Sequence, residues 1–212
     1  MNAPASGRDK KTCGISVLTG PSAASNSRCL EAFANNSARA ANGRPCGFAD
    51  AAAPLLSTFD VRMNVMLPRL YHFREPRAAA RRHADALLDR TGFEGSRDET
   101  PARLTPLETM QALIARALAL ESSRIFINEP FSMETITSWP HLGDCLRSLA
   151  REGDTGVVVA TRNLAFASTC ADNMIFVHDG VIESYESWQA FAAAPGPSGF
   201  IGALPFAPGA QA

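Results

Sequence analysis

Lysine is almost missing from this chain: Lys10 and Lys11 are the only two, while arginine is common. No lysine beyond residue 11 can therefore lend an ammonium group to a bound phosphate. Paired cysteines are also lacking. Cys13, Cys29, Cys46, Cys145 and Cys170 are odd in number, scattered, and form no C-x-x-C pair, which points to a reducing compartment. No run reaches the roughly 18 apolar residues needed to cross a bilayer. The opening stretch "MNAPASGRDKKT" has no apolar stretch of the secretory kind. The expectation is a chain that does not span a membrane itself. Charge of neither sign dominates: the net charge is -1, which argues against nucleic acid as a partner. His72, His83, His141 and His178 show no metal-ligand spacing. No internal repeat is visible, and no Ser-His-Asp or Cys-His set follows from spacing.

What is present is an ordinary folded-domain composition, 46% hydrophobic and 19% charged over 212 residues. Residues 13–19, "CGISVLT", read as a buried strand, and "SRCLEAFANN" as a short helix ended by Asn35 and Asn36. Residues 36–54 read as loop. A helix is predicted from Pro76 to Gly92 with Ala80, Ala84, Leu87 and Leu88 on its apolar face. Another, "TPLETMQALIARALAL", places Leu107, Met110, Ile114, Ala117 and Leu118 on one side. The second half then alternates: strand "RIFIN", helix "WPHLGDCLRSLAREG", strand "GVVVAT", helix "LAFASTCA" and strands "NMIFVH" and "VIES" around an Asp179-Gly180 turn. A short helix, "SWQAFAAA", and a Pro/Gly-rich tail close the chain. Continuous apolar strands alternating with helices predict an α/β fold, a mostly parallel sheet with helices on both faces.

Between the first strand and helix stands "LTGPSAASNSR", residues 18–28. A phosphate-binding loop reads G-x-x-x-x-G-K-[ST]. Counted from Gly20, the second glycine is Ser25, the lysine is Asn26, and only Ser27 fits. Ser27 keeps a hydroxyl for a magnesium ion, whereas Asn26 carries no charge against phosphate.

The order of later segments carries more information. Residues 104–118, "LTPLETMQALIARAL", resemble the signature helix of ATP-binding-cassette (ABC) proteins, with "IARAL" intact. "RIFINEPFS" (124–132) resembles their Walker B strand, "VVVATRN" (157–163) the switch strand, and "ADNMIFVHDGVI" (171–182) the closing hairpin. "LLSTFDVRMNVMLP" (55–68) resembles the segment after the Q-loop. The nearest flavour is that of bacterial lipid, lipoprotein or MCE-type transport ATPases. The resemblance covers roughly residues 13–190. It implies a P-loop NTPase fold with a small helical subdomain at about 60–118 and a shortened N-terminal β region. An N-terminal arm at 1–12 and a tail at 195–212 would flank it.

Carried onto this sequence, the family's phosphate-loop positions are Gly20, Ser22, Asn26, Ser27 and Arg28. Asn128 stands at the magnesium-holding aspartate, so Ser27 and Asn128 are the remaining metal-side groups. Glu129 stands at the carboxylate that activates water. Arg162 stands at the switch histidine and cannot accept a proton. The Q-loop glutamine aligns with Ala51, and Thr135 replaces an aspartate after Walker B. The signature is rewritten as Thr105, Pro106, Leu107 and Glu108. Thr105 and Glu108 form a capping box, with proline at the first helical position. That box satisfies the helix's own donors and places a carboxylate where a phosphate would sit. No aromatic residue precedes Gly20 to stack on adenine.

The expectation is a degenerate ABC nucleotide-binding subunit, binding ATP and Mg2+ weakly if at all. It would be architectural or regulatory, docking on a permease or an active ATPase partner at the inner face of the bacterial cytoplasmic membrane. Phe59, Tyr71 and Phe73, within the apolar stretch 55–73, are candidate docking residues. The alternatives are a working transport ATPase with atypical motifs and a soluble regulator that kept the P-loop fold.

Overall fold

The computed structural model describes residues 14–40, 46–50, 52–130, 139–152 and 155–202. Strand β1 (Ile15–Thr19) leads into helix α1 (Ala23–Ala40), then β2 (Gly47–Asp50). Helices α2 (Val61–His72), α3 (Arg77–Arg90) and α4 (Pro106–Leu118) follow. The chain then alternates through β3 (Arg124–Asn128), α5 (Trp139–Glu152), β4 (Gly156–Ala160), α6 (Leu164–Cys170) and β5 (Asn173–His178). It closes with β6 (Val181–Tyr185), α7 (Trp188–Ala193) and α8 (Pro195–Gly202).

The six strands form one sheet in the order β2-β3-β4-β1-β5-β6. All neighbouring pairs are parallel except β5–β6. Alternation along each strand builds two cores. Ile15, Val17, Ile125, Ile127, Val157 and Val159 face one way, onto the helices that follow β2. Leu18, Phe126, Val158 and Ala160 face the other way, onto Leu30 and Ala34 of α1. The expected mostly parallel α/β sheet is therefore observed, with period-2 burial on both faces.

Several expectations change. Helix α1 runs on to Ala40 rather than stopping at Asn35 and Asn36, whose side chains are exposed while Ala34 is buried. Polar residues on the solvent side of a helix do not end it. The segment read as loop contains β2, whose "GFAD" is too short to show a period; it pairs only with β3. Helix α4 is buried on nearly every side, not along one stripe: Met110 to Ala115, Ala117 and Leu118 are all buried. The Pro/Gly-rich end begins with α8, whose Phe200 and Ile201 rest on the core. Ala51, Thr135, the arm at 1–12 and the tail's last ten residues lie outside the described residues.

Of the apolar stretch 55–73, Leu55, Val61, Val65 and Met66 are buried and Met63 and Leu70 half-buried. Leu56, Phe59, Tyr71 and Phe73 remain exposed. The backbone around Leu56 and Phe59 is fixed by Asn64, which is fully buried. Its Oδ1 accepts from the Leu56 N–H at 2.6 Å, and its amide donates to the carbonyls of Leu56, Phe59 and Asp60 at 3.0, 3.3 and 2.9 Å. Asp60 caps α2 by accepting from Met63 N–H at 2.6 Å. Asn64→Ala strands these loop groups and is expected to destabilise the protein by about 2–3 kcal/mol. A denaturant melt showing an unchanged midpoint would contradict that role.

Candidate functional site

The loop after β1 is closed by contact. A Cβ on Gly20 would lie 2.0 Å from the Val177 carbonyl oxygen, so only glycine fits. Ser22 caps α1 by accepting from Ser25 N–H at 3.2 Å. One turn on, Asn26 folds back into the loop. Its backbone N–H donates to the Ser22 carbonyl at 3.0 Å and its side-chain amide to the Gly20 carbonyl at 3.3 Å. Asn26 has 0% exposure, and its Oδ1 has no partner. The loop interior is thus filled by a neutral amide. The nearest basic side chain in sequence, Arg28, is exposed.

Parallel register brings the other candidates to the same end of the sheet. Asp50 lies directly beside Asn128, and Asn128 beside Ala160, next to Thr161. The Ser27 hydroxyl donates to Asn128 Oδ1 at 3.0 Å, and the Asn128 amide donates to Asp50 Oδ2 at 3.0 Å. The other oxygen, Asp50 Oδ1, accepts from Ala52 N–H at 2.7 Å. Sequence reasoning missed Asp50 because β2 was read as loop. The signal was available only once β2 and β3 were paired.

Glu129 follows β3 with a positive φ of 39°, a strained conformation for a side-chain-bearing residue. It is held there by its N–H donating to the Ala160 carbonyl at 2.8 Å. Its Oε2 accepts from the Thr161 hydroxyl at 3.3 Å, and its Oε1 is buried without a partner. Burial raises the Glu129 pKa above its ordinary value, only partly opposed by the Arg162 backbone N–H, the Thr161 hydroxyl and the Arg162 charge. The Arg162 side chain itself is exposed. Among the described residues, the unpartnered buried atoms of Thr19, Asn26 and Glu129 all gather at the carboxyl end of the sheet. That is the end at which open α/β sheets carry their ligands.

The fold is shared with known proteins. The chain is 31% identical over 140 residues to the lipoprotein-releasing system ATP-binding protein LolD 1 of Rhodopseudomonas palustris, covering 66% of this chain and 62% of that one. It is 34% identical over 133 residues to octopine permease ATP-binding protein P of Rhizobium radiobacter, covering 62% and 50%. A dimeric ATP-binding cassette solved in a post-hydrolysis state with ADP and phosphate superposes with a TM-score of 0.69 at 21% identity, covering 83% of this chain and 86% of that one. Its homologues are ABC transporter ATP-binding subunits. No protein-family model matches the chain. The matched part spans between half and three fifths of the length of these curated relatives.

The loop after β1, Asn128, Glu129 and Arg162 come together at the carboxyl end of the sheet. The signature residues do not join them. Thr105 and Glu108 instead close on each other at the start of α4: Glu108 Oε2 accepts from Thr105 N–H at 2.8 Å, and Thr105 Oγ1 accepts from Glu108 N–H at 3.2 Å. Pro106 follows at the first helical position and Leu107 is half-buried against the core. Further along α4, Arg116 donates to the carbonyls of Ala53 and Pro54 at 2.7 and 3.1 Å, tying α4 to the segment after β2. No group of histidine, cysteine and carboxylate side chains that could hold a metal occurs among the described residues. The Cys145 and Cys170 thiols are pushed up by burial to about 11 and about 12, and no disulfide joins the described cysteines. Such thiols are unreactive at neutral pH.

The raised Glu129 pKa sets a pH dependence. Folded protein holds the proton more tightly than unfolded chain, so the burial penalty is absent below the ordinary glutamate range, about pH 4. It grows as pH rises and is complete above the raised folded value. Glu129→Gln is therefore expected to raise the melting temperature at pH 7–8 and to lose that advantage as pH falls to about 4. A melting-temperature difference that does not change with pH would contradict the burial assignment.

Proposed function

We propose that this chain is a catalytically impaired nucleotide-binding subunit of an ABC transporter, with an architectural or regulatory role. Residues 13–194 would be the cassette-like unit and about 60–118 its helical subdomain. The observation that carries the reading is the buried Asn26 amide in the place of the phosphate-binding lysine. A nucleotide's phosphate chain needs a compensating cation, and a neutral amide already bonded to the Gly20 carbonyl supplies none.

The residues present do not fit a tightly held magnesium–nucleotide group. Ser27 and Asn128 are hard oxygen donors, but they bond each other, and Asn128 is further held by Asp50. ATP and Mg2+ would bind weakly at most, and no hydrolytic step is derived through them. At the other half-site a contributed signature would present Glu108 and a proline in place of free N–H groups. The rival reading, an active ATPase with atypical motifs, draws on Glu129, a carboxylate held beside Thr161 at the end of β3. The third reading, a soluble regulator, differs only in lacking a permease partner.

The partner would be a permease, an active ATPase subunit, or both, holding the chain peripherally on the inner face of the bacterial cytoplasmic membrane. No described helix is long and apolar enough to cross a membrane. Leu56, Phe59, Tyr71 and Phe73 offer exposed apolar area of the residue types that anchor interfaces.

Two outcomes are expected. Asn26→Lys alone leaves phosphate release at background, because Asn128, Arg162 and the signature remain altered, and it lowers stability by burying a charge. Turnover in that variant, or wild-type turnover abolished by Glu129→Gln, would overturn the impaired reading. Tyr71→Ala with Phe73→Ala should lose co-purification with a permease partner, with little change in melting temperature, since both side chains are exposed. Normal partner capture by a strongly destabilised double variant would contradict the docking role.

A further inference from the structure

Some of the arginines whose surroundings are described here are matched by an acid. Arg62 pairs with Asp85 and Asp98, Arg97 with Asp85 and Asp89, Arg103 with Glu99 and Arg147 with Asp144. The stretch from 68 to 84 concentrates arginines that are not so matched. It holds five arginines and two histidines against one acid, Glu75. Glu75 is fully engaged: Arg69 Nε donates to it at 2.6 Å and His83 Nδ1 lies at 2.7 Å. Arg74, Arg77, Arg81 and Arg82 are left exposed, and none has an ion pair among the described residues. Arg77 and Arg81 are one helical turn apart on α3, with Arg82 next to them and Arg74 three residues before. With a chain net charge of -1, the remainder of the molecule is acidic.

Arg77 also stands where helix electrostatics oppose it. Helix α3 has no acid in its first turn and begins at Pro76 without a side-chain cap. Positive side chains near the positive end of a helix dipole are unfavourable unless an anion offsets them. Beside them Tyr71 is 77% exposed and Phe73 42%. Phe73 is held by the Arg69 guanidinium 4.5 Å above its ring. A cationic strip matches the chemistry of a charged headgroup layer, where phosphates meet arginine.

We propose that the start of α3 and the loop before it rest on the surface of an anionic phospholipid bilayer. A flat lipid surface meets this strip alone, whereas a wrapping polyanion would also meet the acidic remainder. The inference rests on the preceding reading only in that a permease partner would bring a bilayer within reach. Vesicles free of protein separate the two, since they test lipid contact with no permease present.

The test is flotation of the full chain with vesicles of phosphatidylcholine alone or mixed with phosphatidylglycerol, at about 0.15 M salt. Binding is expected to the mixed vesicles and to be at least tenfold weaker to the neutral ones. A variant with Arg74, Arg77, Arg81 and Arg82 all changed to Gln should lose more than about a hundredfold in vesicle affinity, at about fivefold per arginine. Its melting temperature should hold or rise, because no native ion pair is removed. Equal binding of wild type and variant, absence of wild-type binding to the mixed vesicles, or tighter binding to duplex DNA or polyglutamate than to vesicles would overturn the proposal.

Discussion

The hydrogen-bonded line from Ser27 through Asn128 to Asp50 holds the working end of this molecule together. It joins the first turns of α1 to the ends of β3 and β2, three elements far apart in sequence. A single amide makes this possible, because asparagine accepts with one atom and donates with the other. An aspartate at 128 would face Asp50 across the strand pair, two carboxylates at hydrogen-bond distance and unable to ionise together without strain. The asparagine and the neighbouring aspartate therefore belong together. Asp50 makes sense with Asn128 and would repel its acid.

The same balance extends to Asn26. Where an ABC phosphate loop places a cation and its strand a carboxylate, this chain has two neutral amides. Each has been turned toward a group of the protein: Asn26 toward the Gly20 carbonyl, Asn128 toward Asp50. Among the described residues, the carboxylates beside these amides are Asp50 and Glu129. Buried acceptors left without partners, Asn26 Oδ1 and Glu129 Oε1, sit around the loop and favour a donor over a phosphate. The scaffold that aims these groups is a mostly parallel sheet with its central strand running into α1.

Much of this was legible in the sequence. Strands β1, β3, β4 and β5 are continuous apolar runs, and the Asp179-Gly180 turn, with both residues at positive φ, is encoded by its two residues. The capping box at Thr105 and Glu108 was readable because it is local. What was not legible depends on distant pairing. β2 has four residues and one large apolar side chain, so no period exists to detect; its strand state comes from β3 alone. α1 continues past two asparagines because burial of its other face outweighs their weak helix preference. The apolar stretch 55–73 divided into core and surface only when α2 was laid on α3 and α4. The end of the chain looked unstructured by composition, yet Phe200 reaches the Phe176 ring at 5.5 Å between centroids and orders α8.

The central claim is that a neutral, internally bonded loop has replaced a phosphate cradle. Calorimetric titration of the full chain with Mg-ATP tests it most directly. The account predicts no saturable heat below millimolar nucleotide, and no gain in thermal stability at that concentration. A dissociation constant in the micromolar range would contradict it, because affinity of that order requires the cation and metal contacts that Asn26 and Asn128 do not supply.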